Sequence, residues 1–266
     1  MYSLNRIVLV IAIGLTALSF DSARAAIIVN GGFESALTAW TTVNQAGGEG
    51  SFSIQTGTTS PIFGATVPSP AEGLASAMAD SGGPGSHVLY QDFVVPTLNA
   101  GETGFLFRAS VYIANGADRF ATPSSLQFDL PASGAAGFNQ RARIDITLAG
   151  ATDPFSMATS DLVHNIFETR VGDPLISGYN TISADLSAAL AGRAGQTLRL
   201  RIAEVDNLGP FQFGIDRVEI SAVPEPRTSI MLIASLATIA LLMNGRVSKL
   251  GFRSGCDEPV SSSTCP

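Results

Sequence analysis

The sequence predicts an all-β protein, a β-sandwich, on three observations. Short apolar stretches recur along the chain, and several alternate with a period of two, as strands with one wet face do. Gly- and Pro-rich segments such as PIFGATVPSPAEG (61–73) and SGGPGS (81–86) separate them. No sustained helical heptad appears, which points away from alternating βα units. About 200 residues suffice for one hydrophobic core, so a single domain is expected over 26–222.

The chain opens with a targeting pattern. MYSLNR is a short basic start, IVLVIAIGLTALSF an apolar run, and SARA places small residues at Ala23 and Ala25. That is the order of a secretory signal peptide over 1–25, cleaved before Ala26; an uncleaved N-terminal anchor is the alternative.

Strand candidates then follow in order: AIIVN (26–30), SFSIQTG (51–57), HVLYQDFVV (87–95), TGFLFRASVYIA (103–114), SLQFDL (125–130), ARIDITLA (142–149), QTLRLRIAEV (196–205) and FQFGIDRVEISA (211–222). In the seventh, Leu198, Leu200, Ile202 and Ala203 mark the apolar side, and Arg199, Arg201 and Glu204 the other. ISADLSAALAG (182–192) suits a helical turn or two, with Ser183 or Asp185 near its start.

The end of the chain raises a separate question. Ile230 to Met243 is an uncharged run of fourteen residues between Arg227 and the basic set Arg246, Lys249 and Arg253. It is short against the roughly 20 residues that span a bilayer, and a buried helix would fit as well. Behind an exported domain, however, the basic flank suits a stop-transfer segment, so a C-terminal transmembrane helix is expected. Val223, Pro224, Glu225 and Pro226 precede this run. Val-Pro-Glu-Pro, an apolar helix and a basic residue, Arg246, in that order over 223–247 resemble the PEP-CTERM sorting signal of exported bacterial proteins. The resemblance implies recognition and cleavage by an exosortase, a membrane peptidase. The chain departs from that pattern by continuing past the basic cluster through a tail (248–266) that carries both cysteines, Cys256 and Cys265.

Composition excludes several function classes. Of 22 acidic residues only Asp21, Asp257 and Glu258 fall outside 26–225, and six of the 15 basic residues do. Nineteen acids therefore face nine arginines and no lysine there, a net charge of −10. Such a surface repels polyphosphates, so no nucleic-acid partner is expected. With the cysteines confined to the tail, no disulfide braces the domain. No HExxH, P-loop or dinucleotide glycine pattern occurs, and Ser86 beside His87 lacks the setting of a nucleophile and base. His164 in DLVHNIF has no catalytic context either, and an enzyme is not expected, although paired glycosidase carboxylates leave no mark in a sequence.

A second resemblance spans scattered pieces of 27–222. NGGFE (30–34) followed by Trp40, LYQDF (89–93), DLSAALAGRAGQTLRLRIAE (185–204) and FGIDRVEI (213–220) are similar, in that order, to the framework of galactose-binding-like jelly rolls and related carbohydrate-binding modules. The resemblance implies a jelly-roll fold, extracellular polysaccharide as partner, and one structural Ca2+ between the terminal strands. Glu34 and Asp216 match its carboxylates, with Asn30 and Gly32 near enough to add oxygens. Calcium takes six to eight oxygens, so backbone carbonyls would have to join. The alternative reading gives Glu34 to the turn after NGG, and Asp216 to backbone hydrogen bonds at a strand start.

Sugar binding requires aromatic faces and orienting polar groups. Trp40, Tyr90, Tyr112 and Phe211 are the candidate platforms, with Asp118, Arg119 and Asn207 near candidates or loops; Trp40 fits a core position equally well. The expectation is an exported, cell-surface or matrix-associated, non-catalytic protein that binds polysaccharide. A structural envelope or biofilm matrix role through protein contacts is the rival, and a glycan hydrolase the third class.

Overall fold

Period-two alternation places one residue set of each strand between two layers. The computed structural model describes residues 26–129, 137–175 and 177–225, and its ten strands form two five-stranded antiparallel sheets. In chain order they are β1 (Thr41–Asn44), β2 (Ser51–Thr56), β3 (Ala75–Ser81), β4 (Gly85–Val94), β5 (Glu102–Asn115), β6 (Gln140–Leu148), β7 (Leu162–Glu168), β8 (Asn180–Asp185), β9 (Thr197–Asp206) and β10 (Phe211–Pro224). A single helical turn, α1 (Ser187–Leu190), follows β8. The first sheet runs β1-β4-β9-β6-β7 and the second β2-β3-β10-β5-β8.

The core lies between the sheets. Leu89 and Phe93 on β4, Ile144 and Ile146 on β6, and Leu198, Leu200 and Ile202 on β9 meet Ala77 and Ala79 on β3, Phe107 and Val111 on β5, and Phe211 and Phe213 on β10. Phe213 is fully buried and edge-on to Phe52, so its truncation to Ala would cost about 3–5 kcal/mol. Register fixes these faces: β4 pairs β9 from Gly85↔Asp206 to Val94↔Thr197, and a slip of one residue would turn Arg199 and Arg201 inward.

On β10 the buried set changes parity. Phe211, Phe213 and Ile215 join the core, but so do Val218 and Ile220. The extra residue is taken up at Asp216–Arg217, where Arg217 has φ 54° and its N–H donates to Asp216 Oδ1 at 2.7 Å, as in a β-bulge. Val218 N–H then donates to the Gly31 carbonyl at 2.9 Å, and a Cβ on Gly31 would collide with the Val218 carbonyl. Gly31 of the NGG motif thus allows this segment to lie against the last strand.

Several expectations need correction. AIIVN is a run of bends and SLQFDL (125–130) is irregular over its described residues, so neither is a strand. Three strands were not foreseen, β1, β3 and β7, and 182–192 divides into β8 and α1. Glu204 points into the interlayer space with Leu200 and Ile202, while Ala203 and Val205 belong to a small outer cluster with Val88 and Leu126.

The chain divides after Val223. Val223 and Pro224 end β10 and Glu225 follows it, whereas the signal peptide, Pro226, the apolar run, Arg246 and both cysteines lie outside the described residues. No helix among the described residues is long and apolar enough to cross a membrane.

Candidate functional site

Each sheet has an outer face, and the two differ. On the first sheet, the parity opposite the core brings out Arg141, Arg143 and Asp145 on β6, Arg201 on β9 and Glu168 on β7. Residues 123–128 and 154–157 cover them. Arg201 Nη1 donates to the Pro154 and Ser156 carbonyls at 3.0 and 2.6 Å, and Arg141 Nη1 to the Pro123 carbonyl at 2.7 Å. Leu126, Phe128, Phe155 and Met157 pack on Val88, Ala203 and Val205. This face is therefore closed by the chain itself.

At its rim Tyr90 carries the Arg199 guanidinium 3.8 Å above its ring, while Arg199 makes a bidentate pair with Asp92 at 2.7 and 3.0 Å. The Asp92 hydrogen bonds outweigh the opposing effect of burial and hold the Arg199 pKa above its ordinary value. One face of the Tyr90 ring is thereby occupied.

The second sheet leaves a groove of about 730 Å3 on its outer face. Its walls are the 63–68 segment and residues 175 and 177–178, and Tyr112, Asn115 and Gln212 are among its lining. Phe63 is 50% exposed and Leu175 45%. Tyr112 is mostly buried and packs 5.9 Å from Tyr179, with Val67 and Met78 beneath. Burial raises the Tyr112 pKa and pushes that of Tyr179 up to about 12, so both phenols are neutral donors at physiological pH.

The other two candidate platforms are core residues. Trp40 packs 5.3 Å from Phe33 and donates from Nε1 to the Asn30 carbonyl at 3.1 Å. Phe211 is fully buried, edge-on to Phe120. Arg119 lies over the Phe138 ring at 5.7 Å, Asp118 occupies a turn at φ 54°, and Asn207 Nδ2 donates to the Phe128 and Gly137 carbonyls. The four platforms are thus dispersed, and only Tyr112 lines the open groove.

Glu34 and Asp216 both serve the loop before β3. Glu34 Oε1 accepts from Leu74 N–H at 2.9 Å and Ala75 N–H at 3.1 Å, and Asp216 Oδ2 from Glu72 N–H at 2.8 Å. Burial raises the Asp216 pKa, and the Glu72 and Arg217 amides oppose it. Asn30 Oδ1 accepts from Ser35 N–H, and its Nδ2 donates to the Ala36 and Thr38 carbonyls, tying the turn around Gly32. These are the backbone hydrogen bonds of the alternative reading, and a calcium ion would have to share or displace them.

Ser86 and His87 are consecutive on β4 and point to opposite faces, so they form no nucleophile–base pair. His164, half-buried on β7, lies opposite Ile146. Among the described residues, the set of His and acidic groups close enough to hold a metal is His87, Glu204 and Asp206. Sequence reasoning missed it, although two acids on the core parity of β9 were its signal.

No protein-family model matches the chain, and no curated protein matches it in sequence. Solved structures resemble it at low identity. A bacteriophage CBA120 tailspike protein 4 enzymatically active domain aligns at TM-score 0.41 and 11% identity over 74% of this chain, which spans only 21% of that one. TmCBM61, solved with β-1,4-galactotriose, aligns at 0.40 and 8% over 75% of this chain and 99% of the module. The Stig cyclase Fisc from Fischerella sp. TAU aligns at 0.42 and 17%, over 77% of this chain and 100% of the cyclase. Likenesses at such scores assign no function.

Proposed function

We propose that this chain is an exported, non-catalytic β-sandwich that binds extracellular polysaccharide in the groove over its second sheet. The observation that carries the reading is the contrast between the two outer faces: one is filled by the chain's own loops, the other is open. A pyranose chain needs flat apolar surface and a few hydrogen-bonding groups; the exposed Phe63 and Leu175 supply the first along the groove, and the exposed Thr66 and Ser177 the second. The net charge of −10 over 26–225 favours a neutral glycan over an acidic one.

Export rests on the sequence: the signal peptide over 1–25 and the sorting pattern at Val223–Pro226 with its apolar run and Arg246. In this reading signal peptidase and an exosortase are the processing partners, and the terminal helix holds the chain at the membrane before or instead of release.

Glycan-array binding of the full chain, followed by titration of the best ligand, tests the proposal. Phe63→Ala is expected to weaken binding at least tenfold, about 1.4 kcal/mol, with the melting temperature unchanged. Absence of saturable binding to every glycan, or binding indifferent to Phe63→Ala, overturns it and favours a structural role through protein contacts. Release of reducing ends would move the chain to the hydrolases.

A further inference from the structure

His87, Glu204 and Asp206 lie between the sheets at one end of the sandwich. His87 faces Glu204 across the β4–β9 ladder, and Asp206, two residues along β9, shares the face of Glu204. Each is 1% exposed, and one potential ligand atom from each lies within 4.8 Å of the others. His87 Nε2, both Glu204 carboxylate oxygens and both Asp206 oxygens have no hydrogen-bond partner. Five buried polar atoms on three converging side chains are far outside the usual economy of a protein interior.

The histidine is already oriented. Its Nδ1 donates to Asn44 Oδ1 at 2.9 Å, because an amide oxygen only accepts, and this leaves the Nε2 lone pair 3.9 Å from Glu204 Oε2. Fixing one ring nitrogen so that the other can ligate is the usual arrangement around a metal-bound imidazole. Burial lowers the His87 pKa to about 4, only partly offset by the Glu49 backbone carbonyl, so the ring is neutral at physiological pH. Burial also drives Glu204 upward and takes Asp206 to about 8, and the charge of Asp80 adds to both. Metal binding would displace the protons that burial favours on these carboxyls, and the arginines of β6 and β9 lie on the opposite face of the sheet, where they do not compete for them.

The surroundings suit a small ion. A Cβ on Gly85 would collide with both the Glu49 carbonyl oxygen and His87 Nε2, so the glycine lets a fourth donor atom, that carbonyl oxygen, approach the cluster. A pocket of about 180 Å3 between the 82–84 and 207–209 turns has Asp206 in its wall, beside the cluster.

We propose that His87 Nε2, Glu204 and Asp206 bind one divalent first-row transition-metal ion, with zinc the best match, which pins the ends of β4 and β9. An imidazole with two carboxylates suits zinc, whereas calcium prefers an all-oxygen shell. Bonds of roughly 2.0–2.2 Å would draw the three side chains slightly together. This position is separate from Glu34 and Asp216, and the ion's role is structural because the site is closed.

The test uses the full chain with Cys256 and Cys265 alkylated, stripped with a chelator and titrated with Zn2+, Ca2+ or Mg2+. One equivalent of Zn2+ and an upward shift in melting temperature are expected, with no comparable response to Ca2+ or Mg2+. Glu204→Gln keeps the side-chain shape and should lower Zn2+ affinity at least tenfold; Asn44→Ala should lower it by about 10- to 100-fold through the freed imidazole. Co2+ substitution gives a second readout, a visible absorption band lost in His87→Ala. No stoichiometric zinc, undiminished zinc binding in Glu204→Gln, or a response to Ca2+ alone would overturn the assignment.

Discussion

Strand β9 carries buried ionisable groups on both faces, and the two faces solve burial differently. Outward, Arg201 belongs to a lattice of ion pairs in which the carboxylates are fully engaged and, among the buried atoms, only Nε of Arg141 and of Arg201 lack partners. Asp145 Oδ2 accepts from Arg201 Nη2 and Arg143 Nε at 2.7 Å each, its Oδ1 accepts from Asn165 Nδ2 at 2.9 Å, and Glu168 Oε2 takes Arg143 Nη1 at 2.8 Å and Arg141 Nη2 at 3.2 Å. Inward, Glu204 and Asp206 have no such partners. A buried charge costs several kcal/mol unless paired and hydrogen-bonded. The outer lattice therefore explains itself as structure, while the inner cluster either holds its acids in the neutral form or takes up the proposed cation.

The largest expected effect is on the closed side. Asp145→Ala leaves Arg143 and Arg201 buried without their shared carboxylate and should cost about 3–5 kcal/mol in urea unfolding. A loss below about 1 kcal/mol would mean that water reaches the lattice and that the contrast drawn on β9 is overstated.

An intermediate case lies under the groove. Tyr179 is buried but partnered in its neutral form, with its hydroxyl 2.9 Å from Ser76 Oγ, and its pKa rises from 10.0 to about 12, first through burial. The folded state then keeps a proton that the unfolded chain releases, so stability falls as pH rises from 10 towards 12, by at most about 1.4 kcal/mol per unit. Tyr179→Phe has no such proton. Its stability should fall less steeply over that window, with Tyr112 supplying what slope remains, and an unchanged slope in pH-dependent unfolding would remove Tyr179 as the cause.

The sandwich was legible where alternation reports packing. Leu198, Leu200 and Ile202 were read from the sequence as one face, and they are. Strand β3 was invisible because ASAMADS is small and polar; it is buried on both sides, with Ala77 and Ala79 towards the core and Met78 under the outer groove. SLQFDL misled for the opposite reason: its alternation reflects Leu126 and Phe128 lying on the first sheet as a cover, without ladder bonds of a strand. Glu204 was placed with the arginines because acids are expected to face water. Strict parity from Leu200 puts it inside, opposite His87, and nothing in the sequence sets that cross-strand register.

The smallest expected effect is the most informative for the comparison on β9. Glu204→Gln in chelator-stripped chain removes a group that has no partner and that burial already drives towards its neutral form. Its stability should change by less than about 1 kcal/mol, in either direction, against the several lost at Asp145. Both variants remove a buried carboxyl group from neighbouring strands of the same sheet; they differ in partnership, and Asp145→Ala also removes side-chain volume, whereas Glu204→Gln keeps it. A large loss from Glu204→Gln without metal would mean that His87 and Glu204 hold each other as an ion pair, closing from 3.9 Å, and the inner cluster would join the outer lattice as self-sufficient structure. A small loss without metal that grows when Zn2+ is restored to the parent chain would show that the energy of this cluster resides in the ion.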